Sequence, residues 1–407
     1  MKKIFNIKKW MLLVIATFFA LLAVLVSSCS LFLFPKPFYD KNHSHDIPTS
    51  GSYKQIYDLE YSFLIINSDS KAISGTGWLF DFKEENNKLT AYFGTNLHVA
   101  DSLRNLEQYP NLLWPHTQEF YLGKTLINYP PPPKDFDVTY KKLSSIPKTQ
   151  FVATNFMPNK NTTNYYVDFA VFSMEFYLTD WVYTNWILQS INSLKTLMEN
   201  VPESSYVDKL FKKINYSRLS SDQAFIAGYP YYDSVKSQFL DNKYPISGGS
   251  KWTLNQPPGI SSFEKGQDFD YKRLAYQYGF PVDNNGFYAP NNLNWSLTYH
   301  NEKFFQNSRG YVINNSNLAG GSSGSLIMNQ NKEIVGIYFG TFSYKDPSTN
   351  VEQESPFGLG QPLRFNDSIN NISYDLIAGD SSISNSYKTS LNNTITWMFN
   401  DQYMKNN

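Results

Sequence analysis

The pattern that most restricts the fold of this chain is a series of short apolar and aromatic runs separated by Gly, Asn and Asp. It begins at Ile56 and includes YSFLIINS, GTGWLFDF, LTAYFGTNLHVA, NYYVDFAVFSMEF, QAFIAGYPYY and EIVGIYFGTF. Runs of this length, with turn-forming residues between them, are typical of strands. Their regular spacing predicts a mainly β chain built as an antiparallel barrel or sandwich.

One segment interrupts this β pattern. After Asp180, which can cap a helix, the sequence WVYTNWILQSINSLKTLMENV places Ile187, Ile191, Leu194 and Met198 at helical spacing. A second helix is expected in YVDKLFKKI, and the tail YKTSLNNTITWMFNDQYM is a candidate closing helix. The Lys content of the helix pair is ordinary, which favours a packed insertion between two β regions over a membrane-surface element.

The N-terminus has the features of an export signal. Four lysines precede an uncharged, mostly apolar run of 16 residues from Met11 to Val26. A membrane span needs about 20 residues, so a signal-peptide core is favoured. The stretch VSSC resembles a bacterial lipobox, which implies that residues 1–28 are a lipoprotein signal peptide and that Cys29 is lipidated. The alternative is an uncleaved signal anchor, and both hold the chain on the extracellular side of the cell membrane.

Charge and cysteine content narrow the class of protein. The formal net charge is zero, which gives no support for nucleic-acid binding. Because Cys29 is the only cysteine, an exported mature chain has none for an internal disulfide and relies on core burial. His43 and His45 lie in a stretch without periodicity that predicts a tether over residues 29–53 rather than a metal site. We expect no metal and no other cofactor.

The stretch AGGSSGSLI, residues 319–327, contains two adjacent serines that are candidate nucleophiles. A serine nucleophile needs a base, usually a histidine, and the chain has five: His43, His45, His98, His116 and His300. If Ser322 attacked, the loop would fit the G-x-S-x-G elbow of α/β-hydrolases. That fold places its histidine after the serine, and no histidine follows His300. His98 follows an apolar strand, where a scaffold would present a base.

If Ser323 attacks instead, the segment from Gly321 to Ser325 resembles the G-D-S-G-G loop of chymotrypsin-like serine peptidases, whose order is His, Asp, Ser. VDFAVFSM supplies Asp168 between His98 and Ser323, and it resembles the D-I-A-L strand of those enzymes. TNLH stands where they have T-A-A-H. GTGWLF, AFIAGYP and EIVGIYFG resemble further segments of the same superfamily.

This ordered set predicts a catalytic triad. Ser323 would attack the carbonyl carbon, and His98 would accept its proton and return it to the leaving amine. Asp168 would hold the tautomer of His98 and stabilise its charged form. The backbone N–H groups of Gly321 and Ser323 would form the oxyanion hole, in a loop whose glycines tolerate unusual backbone angles.

Two neighbouring residues bear on activation and specificity. Ser322 occupies the position where the animal enzymes carry an Asp that pairs with a freed N-terminus, so that activation switch is not expected. Asn317 lies near the bottom of the primary pocket in the resembling enzymes, and an uncharged residue there argues against Lys or Arg specificity.

The lipobox, the residue composition and an inserted trypsin-like core together resemble the mycoplasma lipoprotein serine peptidases of the immunoglobulin-protease type. The resemblance implies a chymotrypsin/trypsin-like double β-barrel with helical and loop insertions. Its expected parts are a peptidase domain at 54–400, comprising a first barrel at about 54–172, a helical insertion at about 178–216, a second barrel at about 222–345 and a C-terminal segment at about 346–400.

The same resemblance implies a function. The implied function is that of a cell-surface endopeptidase, which cleaves host immunoglobulin heavy chain together with an immunoglobulin-binding lipoprotein of the same cell. Two alternatives stay open at this point. One is a non-catalytic immunoglobulin-binding protein or adhesin on a peptidase-like scaffold, and the other is an esterase that uses Ser322.

Overall fold

The computed structural model describes residues 43–112, 115–125, 138–157, 164–215, 223–231, 250–256, 266–270, 296–306, 310–313, 316, 318–345, 352–367, 372–381 and 383–400. Every described residue belongs to one compact unit. The expected signal peptide, Cys29 and Asn317 lie outside the described residues. Within the described ranges, no helix is long and apolar enough to cross a membrane.

Strands dominate the described residues. The first group is β1 (Glu60–Asn67), β2 (Ala72–Glu85), β3 (Lys88–Thr95), β4 (Thr117–Lys124), β5 (Thr139–Lys142), β6 (Lys148–Thr154) and β7 (Tyr165–Tyr177). The second group is β8 (Ile214–Asn215), β9 (Gln223–Gly228), β10 (Thr253–Leu254), β11 (Gln267–Asp270), β12 (Ser296–Tyr299), β13 (Glu302–Gln306), β14 (Tyr311–Ile313), β15 (Leu326–Met328), β16 (Ile334–Lys345), β17 (Glu352–Gln361), β18 (Arg364–Asp367) and β19 (Ile372–Asp375). The mainly β class is therefore confirmed.

The helices are short by comparison. They are α1 (Gly51–Leu59), α2 (Leu97–Ala100), α3 (Leu188–Leu197), α4 (Tyr206–Leu210) and α5 (Tyr387–Ser390), with a π-helical turn at Tyr183–Ile187 and a 3₁₀ turn at Glu203–Ser205. The expected helix pair after β7 is confirmed as α3 and α4. The cap differs from the prediction, because the Asp180 carboxylate accepts a hydrogen bond from the Tyr177 N–H at 2.8 Å instead of capping the helix.

Two sequence predictions about the ends of the folded part differ from the structure. The expected closing helix is limited to α5, and the turns after it bury Met398 and Phe399. The last residues of the expected tether are packed, because the Ser44 N–H donates to the Gln256 carbonyl at 2.7 Å and α1 begins at Gly51. In both places tertiary contacts order residues whose local sequence has no helical or strand periodicity.

The strands form three sheets. The order of the first is β12-β13-β7-β3-β2-β1-β4-β5, with β6 also paired to β7. The second follows β10-β9-β11-β14-β17-β16-β15, and β15 also pairs with β9. A small third sheet has the order β19-β18-β8. Since the first order ends at β12 and β5, closure into two barrels stays a prediction.

Aromatic side chains fill the interior of the first sheet. Phe63 on β1 lies at 6.1 Å from Phe93, 5.3 Å from Phe120 and 5.8 Å from Phe172, measured between ring centroids, and all four rings are buried. Rings that meet edge-on or offset contribute about 0.5–1.5 kcal/mol per pair beyond the area they bury. This aromatic core supports the strands that present the candidate site.

Candidate active site

His98 and Asp168 meet because their strands are neighbours. In the antiparallel pairing of β3 and β7, Thr95 lies opposite Ala170. His98 follows three residues after Thr95, in α2, and Asp168 precedes Ala170 by two. The ends of the two strands therefore bring a histidine and a carboxylate to one place.

The contact between these two residues involves two hydrogen bonds. His98 Nδ1 lies 2.7 Å from Asp168 Oδ2, and the His98 backbone N–H donates to Asp168 Oδ1 at 3.0 Å. Asp168 is buried and the His98 side chain is 16% exposed. A carboxylate only accepts, so Nδ1 carries the proton in this contact.

Further contacts hold the backbone of Asp168. The Asn96 side-chain amide donates to the Asp168 carbonyl at 2.7 Å. The Asp168 N–H donates to Gln361 Oε1, on β17 of the second sheet, at 2.8 Å. Asn96 stands two residues before His98 in TNLH, a motif already singled out, but nothing in the sequence marks Gln361. Its contact joins segments 193 residues apart.

A second carboxylate contributes to the field around His98. Burial raises the pKa of Asp101, one residue beyond α2, and the Arg104 guanidinium, the His300 backbone N–H and His98 oppose this rise. The Arg104 guanidinium lies 3.9 Å from the Asp101 carboxylate.

The adjacent serines differ in what their hydroxyl groups contact. Ser322 is fully buried, and its hydroxyl donates to the Leu318 carbonyl at 2.8 Å. Ser323 is only partly buried, and its hydroxyl makes no hydrogen bond to any other residue in the described ranges. Ser323 therefore has the accessible hydroxyl.

The backbone N–H groups of the loop fall into two sets. Three donate within the structure, namely Ser322 N to Ala319 O at 3.4 Å, Gly324 N to Tyr338 O at 3.0 Å and Ser325 N to Ser322 O at 3.0 Å. The N–H groups of Gly321 and Ser323 donate to none of the residues that the structure describes. These are the two donors that the sequence predicted for the oxyanion hole.

The orientation of these two N–H groups follows from the peptide plane. In a trans peptide the carbonyl and the N–H point in opposite directions. The Gly320 carbonyl accepts from the Tyr231 N–H at 2.7 Å, and the Ser322 carbonyl accepts from the Ser325 N–H at 3.0 Å. Because the Gly320 carbonyl points at Tyr231, the Gly321 N–H of the same peptide points away from Tyr231. In the same way, the Ser323 N–H points away from Ser325, so both N–H groups are available to a ligand.

Two glycines make this loop conformation accessible. Gly321 and Gly324 both have φ of 96°, in the left-handed region that side chains disfavour. A Cβ on Gly321 would lie 2.7 Å from the Tyr231 nitrogen, and one on Gly324 would collide with the Thr76 carbonyl oxygen. The loop requires glycine at both positions for conformation and for space.

Close packing places the loop beside the segment that carries His98. Gly324 lies against Thr76 on β2 and Thr95 at the end of β3, three residues before His98. No hydrogen bond joins the Ser323 hydroxyl to the His98 ring within the described ranges. Catalytic hydrogen bonds are often long in structures without substrate and tighten in the complex.

The other histidines contact different parts of the structure. His45 Nδ1 lies 3.0 Å from the Trp252 carbonyl, and the His116 N–H donates to Ser68 Oγ. His300 stacks on Tyr299, and burial, with the Arg104 charge, lowers its pKa to about 4. No group of three or more His, Cys, Asp and Glu residues suited to a metal ion occurs among the described residues.

A mainly β fold that brings a histidine–aspartate pair next to a glycine-rich serine loop is typical of chymotrypsin-like peptidases. The chain belongs to the mycoplasma immunoglobulin protease family, whose sequence profile matches residues 50–340. The resemblance inferred from the lipobox and the ordered motifs is thereby confirmed.

Two relatives of this chain are mycoplasma lipoproteins. One, from Mycoplasmoides gallisepticum, is 29% identical, with 93% of this chain and 82% of the relative covered. Another, from Mycoplasma genitalium, is 27% identical, with 94% and 92% covered.

Solved structures are more distant. The mycoplasma MIB and MIP proteins give a TM-score of 0.47 at 17% identity, covering 81% of this chain and 60% of that chain. This chain therefore spans less than two thirds of that structure's chain. A Glu endopeptidase gives a TM-score of 0.29 at 13% identity, covering 80% and 93%.

Proposed function

We propose that this protein is a lipid-anchored, cell-surface serine endopeptidase that cleaves host immunoglobulin heavy chain. Ser323 is its nucleophile, His98 its general base and Asp168 the residue that orients the base. The observation that carries the proposal is the doubly hydrogen-bonded His98–Asp168 pair, packed beside a loop whose accessible serine is Ser323.

The chemistry follows from these contacts. Asp168 holds the Nδ1 proton of His98, so Nε2 accepts the Ser323 proton while Oγ attacks the carbonyl carbon. The negative charge on the carbonyl oxygen is stabilised by the N–H groups of Gly321 and Ser323. When the C–N bond breaks, His98 gives the proton to the leaving amine. Water then attacks the acyl-enzyme by the same route and releases the second product.

The substrate and the anchor rest on the family. Immunoglobulin as substrate is supported by the family's description, and its heavy chain by the resemblance. Lipidation at Cys29 is supported by the lipobox and by relatives named as lipoproteins. The immunoglobulin-binding lipoprotein of the same cell is the expected partner, which would present the antibody to the peptidase.

The test uses the chain without residues 1–28, incubated with IgG in the presence and absence of the partner lipoprotein, and with a fluorophosphonate probe. We expect heavy-chain cleavage and covalent labelling, both abolished by Ser323→Ala. Ser322→Ala is the matched control, because its buried hydroxyl only bonds to Leu318, and we expect it to keep most of the activity.

Three outcomes would overturn parts of the proposal. Labelling that survives Ser323→Ala and disappears in Ser322→Ala would favour an esterase-type assignment. IgG binding by a wild-type protein that is neither labelled nor cleaves would favour the adhesin alternative. Labelling without IgG cleavage, with the partner present, would retain the peptidase and reject the substrate.

A further inference from the structure

Thr76, on β2, contacts the serine loop through both its backbone and its side chain. Its N–H donates to the Ser323 carbonyl at 2.8 Å. Its hydroxyl donates to the Gly321 carbonyl at 2.9 Å and accepts from the Tyr229 N–H at 3.2 Å. Its own carbonyl accepts from the Thr95 hydroxyl at 2.8 Å. Thr76 is fully buried, and every polar group it has is used.

With these contacts, each of the four successive carbonyl groups from Gly320 to Ser323 accepts a hydrogen bond. The carbonyls of Gly320 and Ser322 are held by the N–H groups of Tyr231 and Ser325. Thr76 holds the other two, those of Gly321 and Ser323, which are the residues whose N–H groups form the candidate oxyanion hole. For Gly321 and for Ser323, hydrogen bonds therefore hold both neighbouring peptide groups, the one that contains the residue's N–H and the one that contains its carbonyl.

Control of the Gly321 carbonyl matters because glycine has little conformational preference of its own. A residue with no side chain rotates readily about φ and ψ, and Gly321 follows another glycine. Without a donor on its carbonyl, the peptide between Gly321 and Ser322 keeps only the long 3.4 Å bond from the Ser322 N–H to the Ala319 carbonyl. A turn of this peptide would change the directions of the N–H groups of Gly321 and Ser323 relative to each other. Oxyanion stabilisation depends on donors already aimed at the place where charge develops.

A hydroxyl is the group that this position needs. It accepts one hydrogen bond from Tyr229 and donates another to Gly321, and only a group that is both donor and acceptor does so at one atom. The isosteric side chain of valine does neither. The hydrogen bond from the Thr95 hydroxyl to the Thr76 carbonyl also links the residue that holds the loop to the segment that carries His98, three residues after Thr95.

We propose that Thr76 is a positioning residue for the reaction. Its hydroxyl holds the Gly321 carbonyl so that the N–H groups of Gly321 and Ser323 stay aimed at the developing oxyanion. This inference rests on the proposed function, because it presumes that Ser323 is the nucleophile.

The test measures inactivation by a fluorophosphonate, which needs no knowledge of the substrate. Ser323 Oγ forms a bond to phosphorus, fluoride leaves, the serine proton passes to His98, and the phosphoryl oxygen occupies the oxyanion hole. Saturation kinetics separate the maximal rate, kinact, from the binding constant, KI. We expect Thr76→Val to lower kinact by about 10- to 100-fold with KI changed less than about two-fold, and Thr76→Ser to restore kinact.

A matched control separates positioning from general stability. Thr396 is also buried, and its hydroxyl likewise accepts a hydrogen bond from a backbone N–H, that of Phe399 at 3.2 Å, and donates one to an oxygen, here in the Asp81 carboxyl group. It lies in the C-terminal segment and does not contact the serine loop. Thr396→Val is expected to lower the unfolding temperature at least as much as Thr76→Val and to leave kinact within about two-fold.

The outcomes distinguish this inference from the proposed function. Absence of labelling in the wild-type chain would overturn the proposed function. Wild-type kinact in a folded Thr76→Val variant, or an equal fall in Thr396→Val, would overturn the role of Thr76 alone. If Thr76→Val does not fold, Thr76→Ala, which removes the hydroxyl with less crowding, takes its place with the same expected fall and the same Thr76→Ser comparison.

Discussion

The two halves of the candidate site are held in place by different kinds of contact. In the half formed by β3, α2 and β7, His98 is positioned by the Asp168 carboxyl group, which accepts two hydrogen bonds from it. In the half formed by the serine loop, backbone carbonyls and two glycines of positive φ set the geometry. Side-chain hydrogen bonds set the geometry of the first half, and backbone conformation sets the geometry of the second.

This difference determines which substitutions each half tolerates. A side-chain change that preserves shape but alters charge or proton position damages the first half while its backbone stays in place. The second half depends on the conformational freedom of Gly321 and Gly324. It also depends on the hydroxyl of Thr76 and on the hydrogen bonds that the N–H groups of Tyr231 and Ser325 donate to the loop. There, a methyl group added at Gly321 would approach the Tyr231 nitrogen to 2.7 Å and is expected to move the donors.

The largest effect is expected from Asp168→Asn. The amide has nearly the same shape, but its NH₂ group favours the other tautomer of His98, so Nε2 no longer accepts the serine proton. We expect the fluorophosphonate labelling rate to fall by about 10⁴-fold with little change in the unfolding temperature. A rate within ten-fold of wild type would contradict the pairing of His98 with Asp168 as the source of activity.

A smaller but still large effect is expected from Gly321→Ala. The new Cβ would lie 2.7 Å from the Tyr231 nitrogen, at a φ of 96° that alanine disfavours, so the loop must shift. Loss of one oxyanion donor costs about 10²–10³-fold in rate. Gly320→Ala is the matched control, since no atom lies within 4 Å of its added Cβ. Equal labelling rates for the two variants would refute backbone control of this half.

Gln361→Leu tests the link between the second sheet and the first half. The buried Asp168 N–H would lose its acceptor, which costs about 1–3 kcal/mol of unfolding free energy. Since the side-chain contacts of His98 remain, we expect kinact to fall less than about ten-fold. Chemical denaturation and labelling, measured on the same preparation, check both numbers, and a fall as large as that of Asp168→Asn would show that this half also depends on backbone anchoring.

The smallest effect concerns pH. Glu60 on β1 is fully buried and accepts a hydrogen bond from the N–H of Leu326, the residue after Ser325, at 2.6 Å. Burial raises its pKa well above the usual value, against the opposing effects of this bond and the Lys124 charge. The folded state therefore binds more protons than the unfolded state above the usual carboxyl pKa, and stability falls as pH rises through that window.

Glu60→Gln removes this titration and keeps an acceptor for Leu326. We expect the wild-type chain to lose unfolding free energy relative to the variant as pH rises from about 4.5, by at most about 1.4 kcal/mol per pH unit, with labelling rates at a given pH nearly equal. Parallel stability curves for the two proteins would show that Glu60 does not titrate between the folded and unfolded states.

Several features were predictable from the sequence because their signals are local. Short aromatic runs with Gly and Asn between them predicted the strands, and helical spacing predicted α3. The candidate residues His98, Asp168 and Ser323 were located by their order and by motifs of four to eight residues. The closing helix was overestimated, because apolar residues such as Met398 and Phe399 are buried by turns that leave no periodic pattern.

By itself, then, the sequence determined the mainly β class, the family and the residues to test, since each depends on residue type and on short spacings. Only the tertiary structure decided that the buried hydroxyl of Ser322 contacts Leu318, that Gln361 holds the Asp168 backbone and that Thr76 holds the carbonyls of Gly321 and Ser323. The Ser322–Leu318 contact spans only four residues, but the others join residues far apart in the chain, 193 apart for Gln361 and Asp168 and 245 apart for Thr76 and Gly321. Their donors and acceptors become partners only when the sheets pack and exclude water, so no local pattern records them.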